Sequence, residues 1–173
     1  MIRWLLPVAV IAAIGAGAAM AATNAIHSSA SSVKTVRSAK FGTMLVGATG
    51  RTLYRYTVDS KGVNRCTGVA ACNKYWPALL VKATVKPTAG TGVKASLLGT
   101  IKAKAAGMRQ VTYAGFPLYT FAGDAKAGQV NGEGFEKTWY VVNATGGLVK
   151  SAVKSGGAPP PSYPATTTKS AWG

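Results

Sequence analysis

A ten-residue pattern, G-x-x-L-Y-x-[YF]-x-x-D, occurs twice in this chain of 173 residues. The first copy runs from Gly50 to Asp59, and the second runs from Gly115 to Asp124, 65 residues later. A tryptophan follows each copy, at Trp76 and at Trp139. Because duplication of one supersecondary unit preserves its internal spacing, the pattern predicts a tandem of two equivalent units.

The aromatic positions of the motif predict a strand with one aromatic face. Residues two apart on a strand point to the same face, so we expect Tyr54 and Tyr56 to lie together. The second copy places Tyr119 and Phe121 in the same relation. We interpret the tryptophan after each copy as a buried anchor of the core and not as a platform for stacking sugars.

The aspartate that ends each copy has two possible roles. At the end of a strand, Asp59 and Asp124 are placed to accept backbone N–H bonds and start a turn, and we favour this structural role. The alternative is a paired-carboxylate site between the two units, as in acid/base or glycoside chemistry. The single histidine, His27, lies in the predicted flexible lead, and no nucleophile–base motif accompanies the carboxylates. The sequence therefore predicts no catalytic residue and no enzymatic activity.

Short segments rich in Val, Thr and aromatic residues, separated by turn residues, have the pattern of β-strands. They cover residues 41–46, 52–58, 79–83, 97–102, 109–113, 117–122 and 138–143, with a weaker one at 148–153. No helical periodicity is present in this region. The sequence predicts an all-β fold in which two tandem antiparallel β-meander repeats pack with pseudo-twofold symmetry into one sandwich- or barrel-like domain with a shared core.

Shifts in composition divide the chain into segments. An apolar stretch that ends in Ala19-Met20-Ala21 is typical of a cleaved secretory signal, and a retained membrane anchor is the alternative. We expect a secreted or cell-envelope protein without a membrane span after cleavage. The predicted segments are a signal peptide at 1–21, a flexible lead at 22–40, the repeat domain at 41–150 with units at about 41–86 and 95–150, and a disordered Pro/Thr/Ser-rich tail at 151–173.

The two cysteines, Cys66 and Cys72, predict one disulfide, because an even pair in an oxidising compartment most simply forms one. The loop that it closes is short, so it contributes about 2 kcal/mol. A redox-active dithiol or a pair of metal ligands is the alternative, but C-x5-C is not a recognised spacing for either. No cysteine lies near the cleavage site, so lipid attachment is not expected there. Neither a metal nor a cofactor is predicted.

The chain is strongly basic, with 20 Lys and Arg residues against four Asp and Glu residues and a net charge of +16. No acidic residue lies between Asp59 and Asp124. Such a surface attracts anionic cell-wall or extracellular polymers, although solubility also explains it. A specific nucleic-acid partner is not expected, since no recognition motif is present. The predicted polyanion-binding residues are Lys82, Lys86, Lys94, Lys102, Lys104 and Arg109.

The motif and its surroundings resemble the secreted repeats of unknown function, described as predicted lipoproteins with a conserved Y-x-[FWY]-x-x-D motif. The motif stands here at residues 54–59 and 119–124, and the segment from Cys66 through Cys72 to Trp76-Pro77 also agrees in order. The resemblance covers roughly Phe41 to Val142. It implies export and an envelope setting but no mechanism, and the second unit departs from it by lacking the cysteines.

These observations favour a non-catalytic envelope or extracellular module that associates with anionic polymers. Two alternatives remain open from the sequence. One is an accessory of extracellular electron transfer, which would use the face rich in Tyr and Trp or a bound cofactor. The other is a glycan hydrolase, which would use Asp59 and Asp124.

Overall fold

The computed structural model describes residues 32–150 of the chain; the predicted signal segment, His27 and the predicted tail lie outside them. Short strands dominate, as the sequence predicts. The strands are β1 (Ser32–Ser38), β2 (Gly42–Gly47), β3 (Tyr54–Tyr56), β4 (Leu80–Lys82), β5 (Thr88–Ala89), β6 (Leu98–Lys102), β7 (Met108–Tyr113), β8 (Phe116–Pro117) and β9 (Trp139–Val141). Within residues 32–150, no helix has the length and apolar character needed to cross a membrane.

The ordered fold begins earlier than the sequence predicts. Strand β1 lies inside the segment interpreted as a flexible lead, and it pairs with β2 from Val33–Gly47 to Ser38–Gly42. The Ser- and Lys-rich composition of this segment concealed the strand. Val33 is fully buried and Val36 packs against the aromatic residues of the core, so apolar side chains on both faces hold β1 in place.

Three sheets make up the fold. The first has the strand order β2-β1-β5, and the second pairs β3 with β9. The third has the order β4-β7-β6, with β8 added to β7 through a two-residue turn at Ala114 and Gly115. Both turn residues have positive φ, 51° and 84°, which is the geometry of a type I′ hairpin. All pairs are antiparallel except β1 with β5.

The two units are related by a pseudo-twofold axis that passes between the two motif strands. The amide of Tyr54 donates to the carbonyl of Tyr119 at 2.9 Å, and the amide of Tyr119 donates to the carbonyl of Tyr54 at 3.0 Å. Each motif strand also pairs with the segment after the tryptophan of the other unit: Tyr54 lies opposite Val141, and Tyr119 lies opposite Ala78. The units therefore complete each other's sheets.

The motif strands separate two hydrophobic clusters, where the sequence predicted one shared core. Tyr54 and Tyr119 lie in an aromatic cluster on one face. Leu53 and Leu118 lie in a mainly aliphatic cluster on the other face, together with Val111 of β7. The predicted alternation of side chains along the motif is thus observed, and both faces of the strand are buried because the units wrap around it.

One helix, α1 (Ala70–Tyr75), occurs in the first unit, where the sequence predicted none. Its six residues make fewer than two turns, which is too short for a 3.6-residue hydrophobic period to be recognised. The helix lies directly before Trp76, and the amide of Trp76 donates to the carbonyl of Cys72 at 2.7 Å. The second unit has a short 3-10 turn, Phe135–Lys137, before Trp139 instead.

Candidate functional site

The tyrosine of each motif copy is hydrogen-bonded to the aspartate of the other copy. The hydroxyl of Tyr54 donates to Oδ2 of Asp124 at 2.6 Å, and the hydroxyl of Tyr119 donates to Oδ2 of Asp59 at 2.7 Å. All four side chains are buried. The spacing that the two copies share therefore allows two reciprocal hydrogen bonds across the pseudo-twofold axis.

The second oxygen of each carboxylate holds a loop of its own unit. The amide of Arg65 donates to Oδ1 of Asp59 at 2.7 Å, and the amide of Asn131 donates to Oδ1 of Asp124 at 2.9 Å. Each aspartate also begins a turn, since its amide donates at 3.2 Å to the carbonyl of the second aromatic residue of its motif. The carboxylates thus accept backbone N–H bonds, as the sequence predicts. They also join the two units, which the sequence did not predict.

Burial sets the protonation behaviour of these groups. Desolvation raises the pKa of Asp59 and of Asp124 above the ordinary range, although the hydrogen bonds to each carboxylate oppose this by lowering it. Burial, reinforced by the adjacent carboxylate, raises the pKa of Tyr54 and of Tyr119 far above the ordinary value of 10.0. The tyrosines are therefore protonated donors at neutral pH.

The glycine that opens each copy completes the reciprocal contacts. The amide of Gly62 donates to the carbonyl of Gly115 at 2.9 Å, and the amide of Gly128 donates to the carbonyl of Gly50 at 3.1 Å. Gly50 and Gly115 both have positive φ, at 80° and 84°. Only glycine adopts this conformation without strain, which explains why the motif begins with it.

Four aromatic rings form a continuous stack across the two units. Trp76 and Trp139 stack face to face, with ring centroids 3.9 Å apart and planes 2° from parallel. Tyr56 stacks on Trp139 with centroids 4.4 Å apart, and Phe121 packs against Trp76 at 4.4 Å with its plane tilted by 31°. Both indoles are completely buried, in agreement with their interpretation as anchors of the core. Their Nε1 atoms have no hydrogen-bond partner among the described residues.

Cys66 and Cys72 form the predicted disulfide. Both cysteines are buried beside the aromatic cluster, so the bond fixes the loop before α1 against the stack that contains Trp76. No group of three or more His, Cys, Asp or Glu side chains within residues 32–150 is arranged to hold a metal ion.

Five of the six predicted polyanion-binding residues lie at one end of the third sheet. Lys102 on β6 lies opposite Arg109 on β7, and Lys82 on β4 lies opposite the neighbouring Met108. Lys104 follows in the connection between β6 and β7. Lys86 and Arg109 line the same surface groove. We call these five residues the basic end: Lys82, Lys86, Lys102, Lys104 and Arg109.

Lys94, the sixth predicted residue, lies apart from the basic end. It precedes a 3-10 turn that leads into β6, and its amide donates to the hydroxyl of Tyr113 at 3.1 Å. Because β6 runs from Leu98 to Lys102, Lys94 and Lys102 flank opposite ends of this strand. The even distribution of lysines along the sequence gave no sign of this separation.

Two surface grooves occur near the third sheet. One, of about 540 Å³, runs between the 83–89 connection and β6, and it contains Lys86 and Arg109. The other, of about 390 Å³, contains Pro77, Lys104 and Gln110. Neither groove is lined by Asp59 or Asp124. The motif carboxylates therefore face protein partners, and the grooves are formed by residues outside the motif.

Reciprocal tyrosine–aspartate bonds and a shared aromatic stack define a tandem β repeat whose motif joins its two halves. A family model described as a secreted repeat of unknown function matches this chain twice, over residues 35–80 and 100–143. The chain belongs to that family, and each match contains one copy of the motif and the tryptophan that follows it. No curated protein and no solved structure matches it.

Proposed function

We propose that the protein is a non-catalytic secreted module that associates with anionic polymers of the cell envelope or the extracellular medium through its basic end. The observation that carries this proposal is the placement of Lys82, Lys102 and Arg109 at one end of three neighbouring strands, with Lys102 and Arg109 on one face of the sheet and Lys82 on the other. Repeated cations at one sheet end match the repeated charges of a polyanion, and the attraction extends over roughly 8–10 Å at physiological salt.

The distribution of acidic residues supports the same proposal. The sequence from Ser60 to Gly123 contains no Asp or Glu, so no carboxylate of that segment neutralises the basic end. Asp59 and Asp124 both have their two oxygens engaged in hydrogen bonds to the protein. A role in joining the units accounts for these carboxylates without a reaction, whereas glycoside hydrolysis requires two carboxylates that flank one substrate bond.

The corresponding part of the first unit offers a matched control. The counterpart of the Lys102–Arg109 pair is Arg37–Thr43, so one of its two cations is replaced by a hydroxyl. A Lys82→Gln/Lys102→Gln/Lys104→Gln variant and a Lys34→Gln/Arg37→Gln/Lys40→Gln variant each lose three positive charges. The first variant loses its charges at the basic end, and the second loses them in the β1–β2 hairpin.

Retention on immobilised polyphosphate and on an acidic polysaccharide, measured across a salt series, tests the proposal. We expect the logarithm of affinity to fall linearly with the logarithm of salt concentration, by about one unit of slope per contacting cation. The basic-end variant should lose about three units of slope, and the first-sheet variant should lose little. Equal losses in both variants, or retention that salt does not change, would reject a defined polyanion surface.

The stacked rings also favour a second candidate function, an accessory role in extracellular electron transfer. The Trp76–Trp139 stack places two readily oxidised side chains 3.9 Å apart. Voltammetry of the purified protein, compared with a Trp139→Phe variant of intact fold, tests this candidate. A reversible wave that the variant lacks would support it, and identical traces would count against it.

A further inference from the structure

Strand β6 differs from its counterpart in the first unit at its outer edge. In the first unit, β1 pairs on one side with β2 and on the other with β5. In the second unit, β6 pairs with β7 alone among the strands of residues 32–150. The groove of about 540 Å³ runs along this strand and is lined by its residues Leu98, Gly99 and Thr100. In the first unit, β5 occupies the edge that corresponds to this groove.

The lining of this groove combines an apolar body with two cations. Val85 and Pro87 from the connection, with Leu98 from β6, provide hydrocarbon surface, and several alanines complete it. Lys86 and Arg109 are the charged residues that line it. A volume of about 540 Å³ lies within the range typical of small-molecule sites, about 300–1,000 Å³.

Arg109 is held in a fixed position beside the groove. Its Nε donates to Oγ1 of Thr100 at 2.6 Å, and its Nη2 donates to the carbonyl of Thr100 at 3.1 Å. A guanidinium carries five N–H donors, so three remain after these two bonds. Lys86 is exposed and adds a second cation. The pair suits a single oxyanion, which accepts a charge-assisted bond from each group.

From this combination we infer that the groove binds the anion of a fatty acid, with the acyl chain along the apolar lining and the carboxylate at Lys86 and Arg109. Charge complementarity selects the sign of the headgroup, because the groove lining contains no acidic residue. This inference goes beyond polyanion association, which needs neither the groove nor an apolar ligand. The polyanion surface and the fatty-acid groove share Lys86 and Arg109, but their other residues differ.

Calorimetric titration of the intact protein with octanoate, decanoate and laurate, kept below micelle formation, tests the acyl chain. Affinity should rise about fourfold per methylene, the value expected for burial of each CH₂ group. Dodecyltrimethylammonium has a twelve-carbon chain with the opposite charge, and acetate has the headgroup without the chain. Both should bind at least tenfold more weakly than laurate. Equal affinity of octanoate and laurate, or of laurate and the cationic detergent, would overturn the inference.

Two pairs of variants locate the site. Ala95→Trp places an indole at the exposed Ala95 in the groove lining, and Ala105→Trp places one in the other groove as a matched control. We expect the first to weaken laurate binding at least tenfold and the second to leave it unchanged. Lys86→Gln should weaken it several-fold, whereas Lys61→Gln, an exposed lysine that lines neither groove, should not. Equal effects within either pair would overturn the assignment.

The same variants separate this inference from the polyanion proposal. Ala95→Trp should weaken laurate binding at least tenfold while retention on polyphosphate persists, because the indole removes no charge. The Lys82→Gln/Lys102→Gln/Lys104→Gln variant should lose retention on polyphosphate and keep laurate binding, since none of these three lysines lines the groove. Thermal unfolding of each variant confirms that the fold is intact. Laurate binding that is lost in the triple variant and kept in Ala95→Trp would overturn the inference.

Discussion

The hydroxyl of Tyr54 in the first unit donates a 2.6 Å hydrogen bond to Oδ2 of Asp124 in the second unit. The equivalent bond from Tyr119 to Asp59 runs in the opposite direction across the pseudo-twofold axis. The residues that define the motif therefore act between the two copies and not within one of them. This arrangement makes the stability of each unit depend on the other, and it leads to specific expectations.

Tyr54→Phe and Asp124→Asn should each lower the free energy of unfolding by about 1–3 kcal/mol, because each leaves a buried polar partner unsatisfied. The double variant should lose less than the sum, with a coupling energy of about 0.5–3 kcal/mol. Denaturant titrations of the four proteins give this value. The matched control combines Tyr54→Phe with Asp59→Asn, residues that share no hydrogen bond. A larger coupling in the control than in the Tyr54–Asp124 pair would contradict the pairing.

Stability should fall steeply in alkali. Burial and the adjacent carboxylates raise the pKa of Tyr54 and Tyr119 above the ordinary value of 10.0, so below that pH both states keep the proton. Above it the unfolded state loses protons that the folded state retains, and the folded state is destabilised by up to about 1.4 kcal/mol per pH unit for each tyrosine. Unfolding measured from pH 9 upward should show a shallower decline in Tyr54→Phe. Equal slopes of unfolding free energy against pH in the two proteins would show that Tyr54 is not a source of the decline.

Neither unit should fold when it is separated from the other. Strand β3 pairs with β9, and Tyr119 pairs with Ala78, so each half lacks a strand partner and half of the aromatic stack on its own. Fragments 32–93 and 94–150 should each show unfolded far-ultraviolet circular dichroism, and mixing them in equal amounts should restore the native spectrum. A single fragment with a cooperative thermal transition would show that the units are independent.

Gly132→Ala should destabilise the protein by about 1–3 kcal/mol through overpacking. A Cβ at this position would lie 2.6 Å from Cη2 of Trp76 and 3.1 Å from Cε1 of Tyr54, both in the closely packed aromatic cluster. Gly47→Ala is the matched control, because its nearest neighbours would be 3.9 Å away. Thermal unfolding of the two variants compares them directly. Similar losses in both would show that crowding at Trp76 is not the cause.

The sequence predicted what depends on local pattern. The repeat, the alternation around Tyr54 and Tyr56, the disulfide and most strands between Phe41 and Val142 follow from spacing and residue type. The second copy of the motif forms only the short strand β8 and two isolated bridges at Tyr119, although the sequence predicted a strand over 117–122. The predicted weak strand at 148–153 is represented by a single bridge at Leu148, and residues 151–153 lie outside the described part.

The features that the sequence did not predict depend on which unit supplies each partner. Nothing in the residues around Asp59 shows that its carboxylate accepts a hydrogen bond from Tyr119. Spacing within one copy carries no information about pairing between copies. The same limit applies to the Trp76–Trp139 stack, whose members are 63 residues apart. The separation of Lys94 from the basic end also follows from the register of β6 on β7, which composition does not encode.

The exchanged tyrosine–aspartate bonds imply an ancestry for the molecule. A precursor with one copy of the motif would have satisfied its tyrosine and aspartate only by associating with a second identical chain, in a symmetric dimer with a self-complementary interface. Fusion of two such genes would make that association independent of concentration. It would also free each half to change outside the interface, as the disulfide in one half and the groove beside the other illustrate.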